Sequence, residues 1–137
     1  APLRIAPEVR MSMAICYEIA YGELVRELSR DAGLLATISN DTWFGASIGP
    51  SQHLQIARMR AVELARPLVR ATNDGITALV DHEGRIVGRL PRFEPDVLRG
   101  TLQPRAGATP YARTGSWPVL LAAVLLLLPA LRARLRP

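Results

Sequence analysis

Residues 9–30 read VRMSMAICYEIAYGELVRELSR, and the order of patterns in this stretch decides the fold class. Segment 9–15 predicts a strand, and segment 19–30 predicts an amphipathic helix with one apolar face. Cys16, the only cysteine, lies at the corner between them. This placement suits a thiol nucleophile, because the N–H groups at a helix start favour the thiolate. The alternative is a small buried side chain, since cysteine is among the most often buried residues.

Downstream of this stretch, strand and helix patterns alternate. Further strands are predicted at 34–39, 68–72, 76–80 and 85–90, with another candidate at 97–102. A second long helix is predicted at 51–66, because Pro50 precedes it and Pro67 breaks it. Segment 1–7 is expected to be irregular. The strand–helix–strand order favours an α/β sheet covered by helices.

The composition argues against several classes of protein. A chain of 137 residues, 49% of them hydrophobic, suffices for one modest domain and an additional apolar segment. The net charge of +5 depends on three arginines among the last six residues, so nucleic acid is not a predicted partner. His53 and His82 stand far apart, without cysteines or histidines at ligand spacing, and no glycine-rich phosphate loop occurs. We therefore predict neither a metal nor a cofactor.

The C-terminal segment has the pattern of a membrane span. Residues 117–131 carry no charged side chain, and Arg132, Arg134 and Arg136 follow directly. Extended to residue 135, the helix would reach roughly 28 Å, close to the ~30 Å hydrocarbon core. Trp117 would be an anchor at the membrane interface. The alternative is a buried core helix, which polar positions usually interrupt.

Charge predicts the orientation of this span. Arginines that flank a span stay preferentially in the cytoplasm, so the C-terminus is expected inside and residues 1–116 outside, in the bacterial periplasm. Segment 103–116 contains prolines and glycines and predicts a linker. The predicted division is a domain at 1–102, a linker at 103–116 and a transmembrane helix at 117–135, with an arginine-rich cytoplasmic tail to residue 137.

Several short motifs follow one another in an order that a known family shares. They are Cys16-Tyr17-Glu18, Ser39-Asn40-Asp41-Thr42-Trp43-Phe44-Gly45, Gly49-Pro50-Ser51-Gln52-His53, Ala57-Arg58-Met59-Arg60-Ala61, Arg70-Ala71-Thr72-Asn73, Gly75-Ile76-Thr77 and Thr109-Pro110-Tyr111-Ala112-Arg113-Thr114-Gly115. The ordered set resembles the C-terminal part of the bacterial apolipoprotein N-acyltransferases. These are integral membrane enzymes with a nitrilase-like periplasmic domain.

The resemblance implies the C-terminal part of a nitrilase-like αββα sandwich followed by one transmembrane helix. It also implies a two-step acyl transfer without a cofactor. A phospholipid ester would acylate the cysteine, and the thioester would pass the acyl chain to the N-terminal amine of a diacylglyceryl-cysteine lipoprotein. The implied partners are therefore a phospholipid donor, a lipoprotein acceptor and the membrane. The implied location is the bacterial inner membrane, with several spans in the full protein.

The resemblance also assigns roles to individual residues. Cys16 matches the family's nucleophile and Glu18 its supporting carboxylate, whereas the family's Glu base and Lys lie upstream of the cysteine. This chain has no lysine, and only Glu8 precedes Cys16. We therefore expect the C-terminal portion of a longer protein, whose missing N-terminal part is needed for activity. The chain alone is expected to be inactive and poorly soluble, because half a sandwich leaves an apolar sheet face in water.

Four further residues are candidates for substrate binding. Tyr17 could pack beside the thioester, and Asn40 could polarise the site. The loop aromatics Trp43 and Phe44 could contact acyl chains. Each candidate has a structural alternative: core packing for Tyr17, an Asx turn for Asn40, and a cap over the core for the two loop aromatics. For His53, a polar role at the start of a helix is predicted rather than catalysis.

Two other functions are consistent with the sequence. One is a membrane-tethered carbon–nitrogen hydrolase, which would release ammonia from a small amide. The other is a non-catalytic, membrane-anchored interaction domain, since the chain lacks any lysine.

Overall fold

The computed structural model describes residues 2–134, with side chains up to Leu128. Its strands form one sheet in which neighbours in sequence are also neighbours in space. In order they are β1 (Leu3–Ala6), β2 (Val9–Ile15), β3 (Leu34–Asn40), β4 (Leu68–Asn73), β5 (Ala78–Val80) and β6 (Ile86–Arg89). β2, β3 and β4 run parallel, whereas β1, β5 and β6 pair antiparallel with their neighbours.

Helices supply the connections that parallel strands need. In the described part of the chain they are α1 (Gly22–Leu28), α2 (Gly49–Leu64), α3 (Pro110–Thr114) and α4 (Trp117–Arg134), with 3-10 helices at Cys16–Ala20 and Thr42–Phe44. α1 lies between β2 and β3, and α2 lies between β3 and β4. The predicted α/β order is therefore confirmed.

The core lies between the helices and one face of the sheet. Ala57 and Ala61 of α2 have no exposed surface, and their small side chains let the helix lie close to the strands. Leu68 and Val80 supply the sheet side of the same cluster, also without exposed surface. Full burial of each large apolar side chain stabilises the fold by about 1.5–3 kcal/mol.

The observed elements correct three sequence predictions. Segment 1–7 is not irregular, because β1 pairs antiparallel with β2 through a turn at residues 7–8. The predicted helix 19–30 is two elements, since Tyr21 has an extended backbone (φ −88°, ψ 93°) between the 3-10 helix and α1. The candidate strand 97–102 does not form. In its place, Leu98 lies against Gly88 of β6 without ladder pairing.

Segment 103–116, which was predicted to be a linker, lies against the domain. The Arg105 N–H donates a hydrogen bond to the Gly33 carbonyl over 3.0 Å, and the Arg66 guanidinium donates to the Gly107 carbonyl. The Thr109 hydroxyl donates to the Glu63 carbonyl at the end of α2. The division of the chain into domain, linker and span stays a prediction.

The sheet face that points away from α1 and α2 is apolar and open. Strand alternation places Ile15, Ile38 and Val69 on this face, where they are 58%, 47% and 36% exposed. The facing residues Ala14, Thr37 and Arg70 of the same three strands are buried under the helices. One sheet with one covered face is what half of an αββα sandwich would contain.

The C-terminal prediction is not confirmed. Among residues 2–134, no helix is both long enough and apolar enough to cross a membrane. α4 has 18 residues, which correspond to about 27 Å, slightly less than a ~30 Å hydrocarbon core. Residue 135, where the predicted span 117–135 ends, lies outside the described part of the chain.

Candidate active site

The predicted corner for Cys16 is confirmed. β2 ends at Ile15, and the 3-10 helix begins at Cys16, which is half-buried and has a free thiol. The Cys16 backbone has φ +53°, a left-handed conformation that is uncommon for a residue other than glycine. Such strain persists only where the surroundings impose it, and it clusters at functional sites. The turn thus holds the cysteine in a fixed position at the carboxyl edge of the parallel strands.

The two residues after the cysteine are exposed. The Glu18 carboxylate accepts a hydrogen bond from the Ile15 N–H at 2.7 Å, across the turn that contains Cys16. This contact braces the turn, and a role of Glu18 toward substrate stays a prediction. Tyr17 is 55% exposed and packs edge-on against Tyr21, so it is not part of the core.

A buried hydrogen-bonded cluster lies directly beside the cysteine, and we call its four members the Asp41 cluster: Ser39, Asp41, His53 and Arg70. The Asp41 carboxylate has no exposed surface. Its Oδ1 accepts from the Ser39 hydroxyl at 2.7 Å and from His53 Nδ1 at 2.9 Å. Its Oδ2 accepts from Arg70 Nη2 at 2.7 Å. Because an ionised carboxylate only accepts, His53 carries its proton on Nδ1 when neutral.

The cluster reaches the sulfur through one side chain. The Ser39 hydroxyl lies 3.5 Å from Cys16 Sγ while it also contacts Asp41. β3 and β2 are parallel neighbours, and their register pairs Ile38 with Ile15, so Ser39 of β3 lies beside Cys16, the first residue after β2. Ser39 is therefore the direct link between the buried charges and the thiol.

The charges of the cluster are mutually compensated. Burial alone would raise the pKa of Asp41, but hydrogen bonds from Ser39 and His53 and the charge of Arg70 outweigh it, so this pKa lies below its ordinary value. Burial lowers the pKa of the Arg70 guanidinium, and Asp41 counteracts that effect. An arginine nevertheless stays protonated in proteins, so the pair is ionic.

Space around the carboxylate is tight. The α-carbon of Gly75 approaches so closely that an added Cβ would lie 2.4 Å from Asp41 Oδ2. Gly75 therefore packs directly against the Asp41 cluster.

The predicted binding residues occupy different positions. The Asn40 Oδ1 accepts hydrogen bonds from the Thr42 N–H and hydroxyl, which is the Asx-turn alternative. Trp43 is 82% exposed, and its side chain is available to a ligand. Phe44 is half-buried and lies edge-on to His53, so it covers the cluster. A substrate role for Tyr17, Asn40, Trp43 and Phe44 stays a prediction.

Sequence reasoning assigned no role to Ser39, Asp41 or Arg70, and it gave His53 only a helix-start role. A signal was nevertheless present. Arg70 lies two residues after Leu68 on β4, so both side chains lie on the same, covered face of the sheet. A buried arginine needs an acidic partner, and Asp41 follows the neighbouring strand.

Within residues 2–134, no three His, Cys, Asp or Glu side chains are placed to hold a metal ion. A cavity of about 470 Å³ is lined by Gly33, Arg66 and Arg105 among others. It lies where β3 and β4 begin, at the opposite end of the strands from Cys16.

Comparison with known proteins decides the family. The sequence pattern of the family described as carbon-nitrogen hydrolase matches residues 3–111, which is most of the chain. The chain belongs to the carbon–nitrogen hydrolase family. A solved carbon–nitrogen hydrolase from Helicobacter pylori G27 superimposes with a TM-score of 0.60 at 15% identity, over 69% of this chain and 40% of that one. This likeness supports the predicted nitrilase-like α/β fold.

Relatives also carry the name that the motifs suggested. An apolipoprotein N-acyltransferase from Photobacterium profundum is 57% identical over 107 residues, which are 77% of this chain and 21% of that protein. One from Pseudomonas aeruginosa is 49% identical over 137 residues, which are 99% of this chain and 27% of that protein. The resemblance is therefore confirmed, and this member of the carbon–nitrogen hydrolase family spans about a quarter of the length of these relatives.

Proposed function

We propose that the full protein is an N-acyltransferase and that Cys16 is its nucleophile. The acyl chain comes from a phospholipid, and the acceptor is the N-terminal amine of a diacylglyceryl-cysteine lipoprotein. The observation that carries this proposal is the presentation of Cys16: a half-buried free thiol on a left-handed turn at the carboxyl edge of the sheet. The names of the relatives support the class of the acceptor, an apolipoprotein. The phospholipid donor is part of the proposal.

The chemistry proceeds in two balanced steps. The Cys16 thiolate attacks the ester carbonyl of the phospholipid, the C–O bond breaks, and the lysophospholipid leaves as an alcohol after taking up a proton. The amine of the lipoprotein then attacks the thioester, the C–S bond breaks, and an amide forms as the thiol is regenerated. Covalent catalysis divides one difficult transfer into two easier ones.

The upstream part of the protein must complete the site. A Glu base there would take the thiol proton and return it to the leaving group. A Lys, together with a backbone N–H near Cys16, would stabilise the oxyanion, each donor contributing about 3–4 kcal/mol. Glu18 would orient the turn or the incoming amine, and Trp43 would contact an acyl chain with its exposed ring.

The open sheet face offers the place where the upstream part docks. Ile15, Ile38 and Val69 are apolar but exposed in this chain. Such residues are expected where a second sheet covers them in the full protein. Burial of this face against the N-terminal half of the domain would complete an αββα sandwich and bring the Glu and Lys to Cys16.

We place the full protein in the bacterial inner membrane, with residues 1–116 on the periplasmic side and the C-terminus on the cytoplasmic side. Support comes from the arginines of the tail and from α4, whose apolar side chains between Trp117 and Leu128 are largely exposed. This helix would lie in lipid close to the donor phospholipid.

A transfer assay tests the function. The full-length protein is incubated with a phospholipid labelled in its acyl chain and a synthetic diacylglyceryl lipopeptide, and the N-acylated peptide is measured. Cys16→Ala is expected to abolish transfer. Ser12→Ala, which removes a buried hydroxyl from β2, should keep most of the transfer activity. Release of ammonia from simple amides without acyl transfer would indicate the amide hydrolase instead, and no turnover of either kind would favour an interaction domain.

A further inference from the structure

The Ser39 hydroxyl faces two acceptors but has one proton to donate. It lies 2.7 Å from Asp41 Oδ1 and 3.5 Å from Cys16 Sγ. Since a hydroxyl carries a single hydrogen, it donates to one of these atoms at a time and can accept from the other neighbour. Which contact receives the hydrogen depends on where the negative charge lies.

When the Cys16 thiol is neutral, the Ser39 hydroxyl donates its hydrogen bond to Asp41. The carboxylate is ionised and lies at the shorter distance, and hydrogen bonds to charged groups are the stronger ones. A lone pair of the Ser39 oxygen then faces Cys16 and can accept from the S–H group.

When the Cys16 sulfur is negatively charged, it competes with Asp41 for the hydrogen of the Ser39 hydroxyl. The Ser39 hydroxyl can rotate toward Sγ, and Asp41 Oδ1 still accepts from His53 Nδ1 at 2.9 Å. Oδ2 keeps the Arg70 hydrogen bond at 2.7 Å. The buried carboxylate is therefore never left without donors, which would otherwise oppose the rotation. No proton leaves the hydroxyl in this exchange.

We propose that Ser39 is a further functional residue of this site, whose hydroxyl donates to the Cys16 sulfur when the sulfur is negatively charged, and that Asp41 is the positioning residue that holds it there. This inference rests on the proposed nucleophile and adds two residues that act on it. The bond stabilises the thiolate before attack and again when the thioester breaks down.

Other charged groups around the cysteine do not replace this contact. On the 3-10 helix, the Glu18 carboxylate is bonded to the Ile15 N–H, and Tyr17 points outward. From α2, His53 contacts Asp41 through Nδ1. From β4, Arg70 is close enough for its charge to interact with Cys16, but its guanidinium donates its hydrogen bond to Asp41.

Alkylation of the full-length protein tests the inference. Iodoacetamide is added over a range of pH, and the rate of modification of the Cys16 peptide is followed by mass spectrometry. Loss of a hydrogen bond to a charged sulfur should move the pH midpoint of alkylation upward by about one unit in Ser39→Ala, which slows the reaction up to about tenfold below the midpoint. Ser39→Thr keeps the hydroxyl and should keep a midpoint close to that of the wild type.

Two controls distinguish the loss of the Ser39 hydroxyl from a change in packing around it. Ser12→Ala removes the buried hydrogen bond, 2.8 Å long, between Ser12 of β2 and Ser29, and should leave the midpoint unchanged. Ser39→Val matches Ser39→Thr in shape and provides the comparison if Ser39→Ala does not fold. The inference is overturned if Ser39→Ala keeps the wild-type midpoint, or if Ser39→Thr shifts as far as Ser39→Val.

The readout is independent of acyl transfer. Alkylation needs neither phospholipid nor lipoprotein, so a shifted midpoint in a protein that transfers no acyl chain would overturn the proposed function alone. An unshifted midpoint in an active transferase would overturn the role of Ser39 alone.

Discussion

Arg70 Nη2 donates a hydrogen bond to Asp41 Oδ2 over 2.7 Å, and neither side chain has any exposed surface. The pair joins the middle of β4 to the segment that follows β3. Because Asp41 also holds Ser39 beside Cys16, this ion pair connects the stability of the domain with the position of the candidate nucleophile.

Removal of the Arg70 guanidinium should strongly destabilise the fold. In Arg70→Met the buried Asp41 carboxylate loses its compensating charge, and the free energy of unfolding should fall by about 3–5 kcal/mol. Arg85→Met is the matched control, since the Arg85 side chain is largely exposed and its ion pairs with Asp81 and Glu83 should contribute no more than about 1 kcal/mol. Denaturant unfolding of the full-length protein measures both variants. Equal losses in the two would contradict a buried, charge-dependent pair.

The pH dependence of stability should report Asp41. Its pKa lies below the ordinary value of 3.8, because the hydrogen bonds and the charge of Arg70 outweigh burial. A carboxyl with a depressed pKa stabilises the folded state above about pH 4, and this contribution is lost as pH falls through the depressed value. The difference in melting temperature between wild type and Asp41→Asn should therefore shrink between pH 7 and pH 3. A difference that stays constant or widens toward low pH would be inconsistent with this assignment.

Gly75 should tolerate no side chain. In Gly75→Ala the new Cβ would lie 2.4 Å from Asp41 Oδ2, so the carboxylate or the turn must move, at a cost of about 1–3 kcal/mol. In Gly88→Ala the nearest atom, Leu98 Cδ1, is 3.4 Å away, and a much smaller loss is expected. Thermal unfolding compares the two variants. If Gly88→Ala is the more destabilising of the two, close packing of Gly75 on Asp41 is not the reason for the glycine.

The open sheet face should be an interior surface of the full protein. Ile38→Glu is expected to destabilise the full-length protein by several kcal/mol, since the charge would be buried without a partner. The same substitution should improve the solubility of the 137-residue chain expressed alone. Met59→Glu, on the exposed side of α2, should change stability by about 0.5 kcal/mol or less. A wild-type chain that is monodisperse and melts cooperatively without detergent would argue against a missing second sheet.

The local elements could be predicted from the sequence, but the Asp41 cluster, which depends on tertiary contacts, could not. The bounds of β2 and the corner at Cys16 follow from one strand pattern and one helix pattern, because both are properties of consecutive residues. β1 was missed because four residues of mixed polarity carry little periodicity, and only pairing with β2 makes them a strand. Ser39 and Asp41 lie together at the end of β3, but His53 comes from α2 and Arg70 from β4. The charge of Arg70 on a buried face was the one signal that they meet.

One measurement tests the role of Cys16 most directly. The full-length protein is incubated with phospholipid alone, digested, and examined by mass spectrometry for an acyl adduct on the Cys16 peptide. The account predicts an added acyl mass that hydroxylamine removes, since a thioester is cleaved by this nucleophile, and predicts none in Cys16→Ala. An unmodified Cys16 peptide in a preparation that transfers acyl chains to lipoprotein would contradict it.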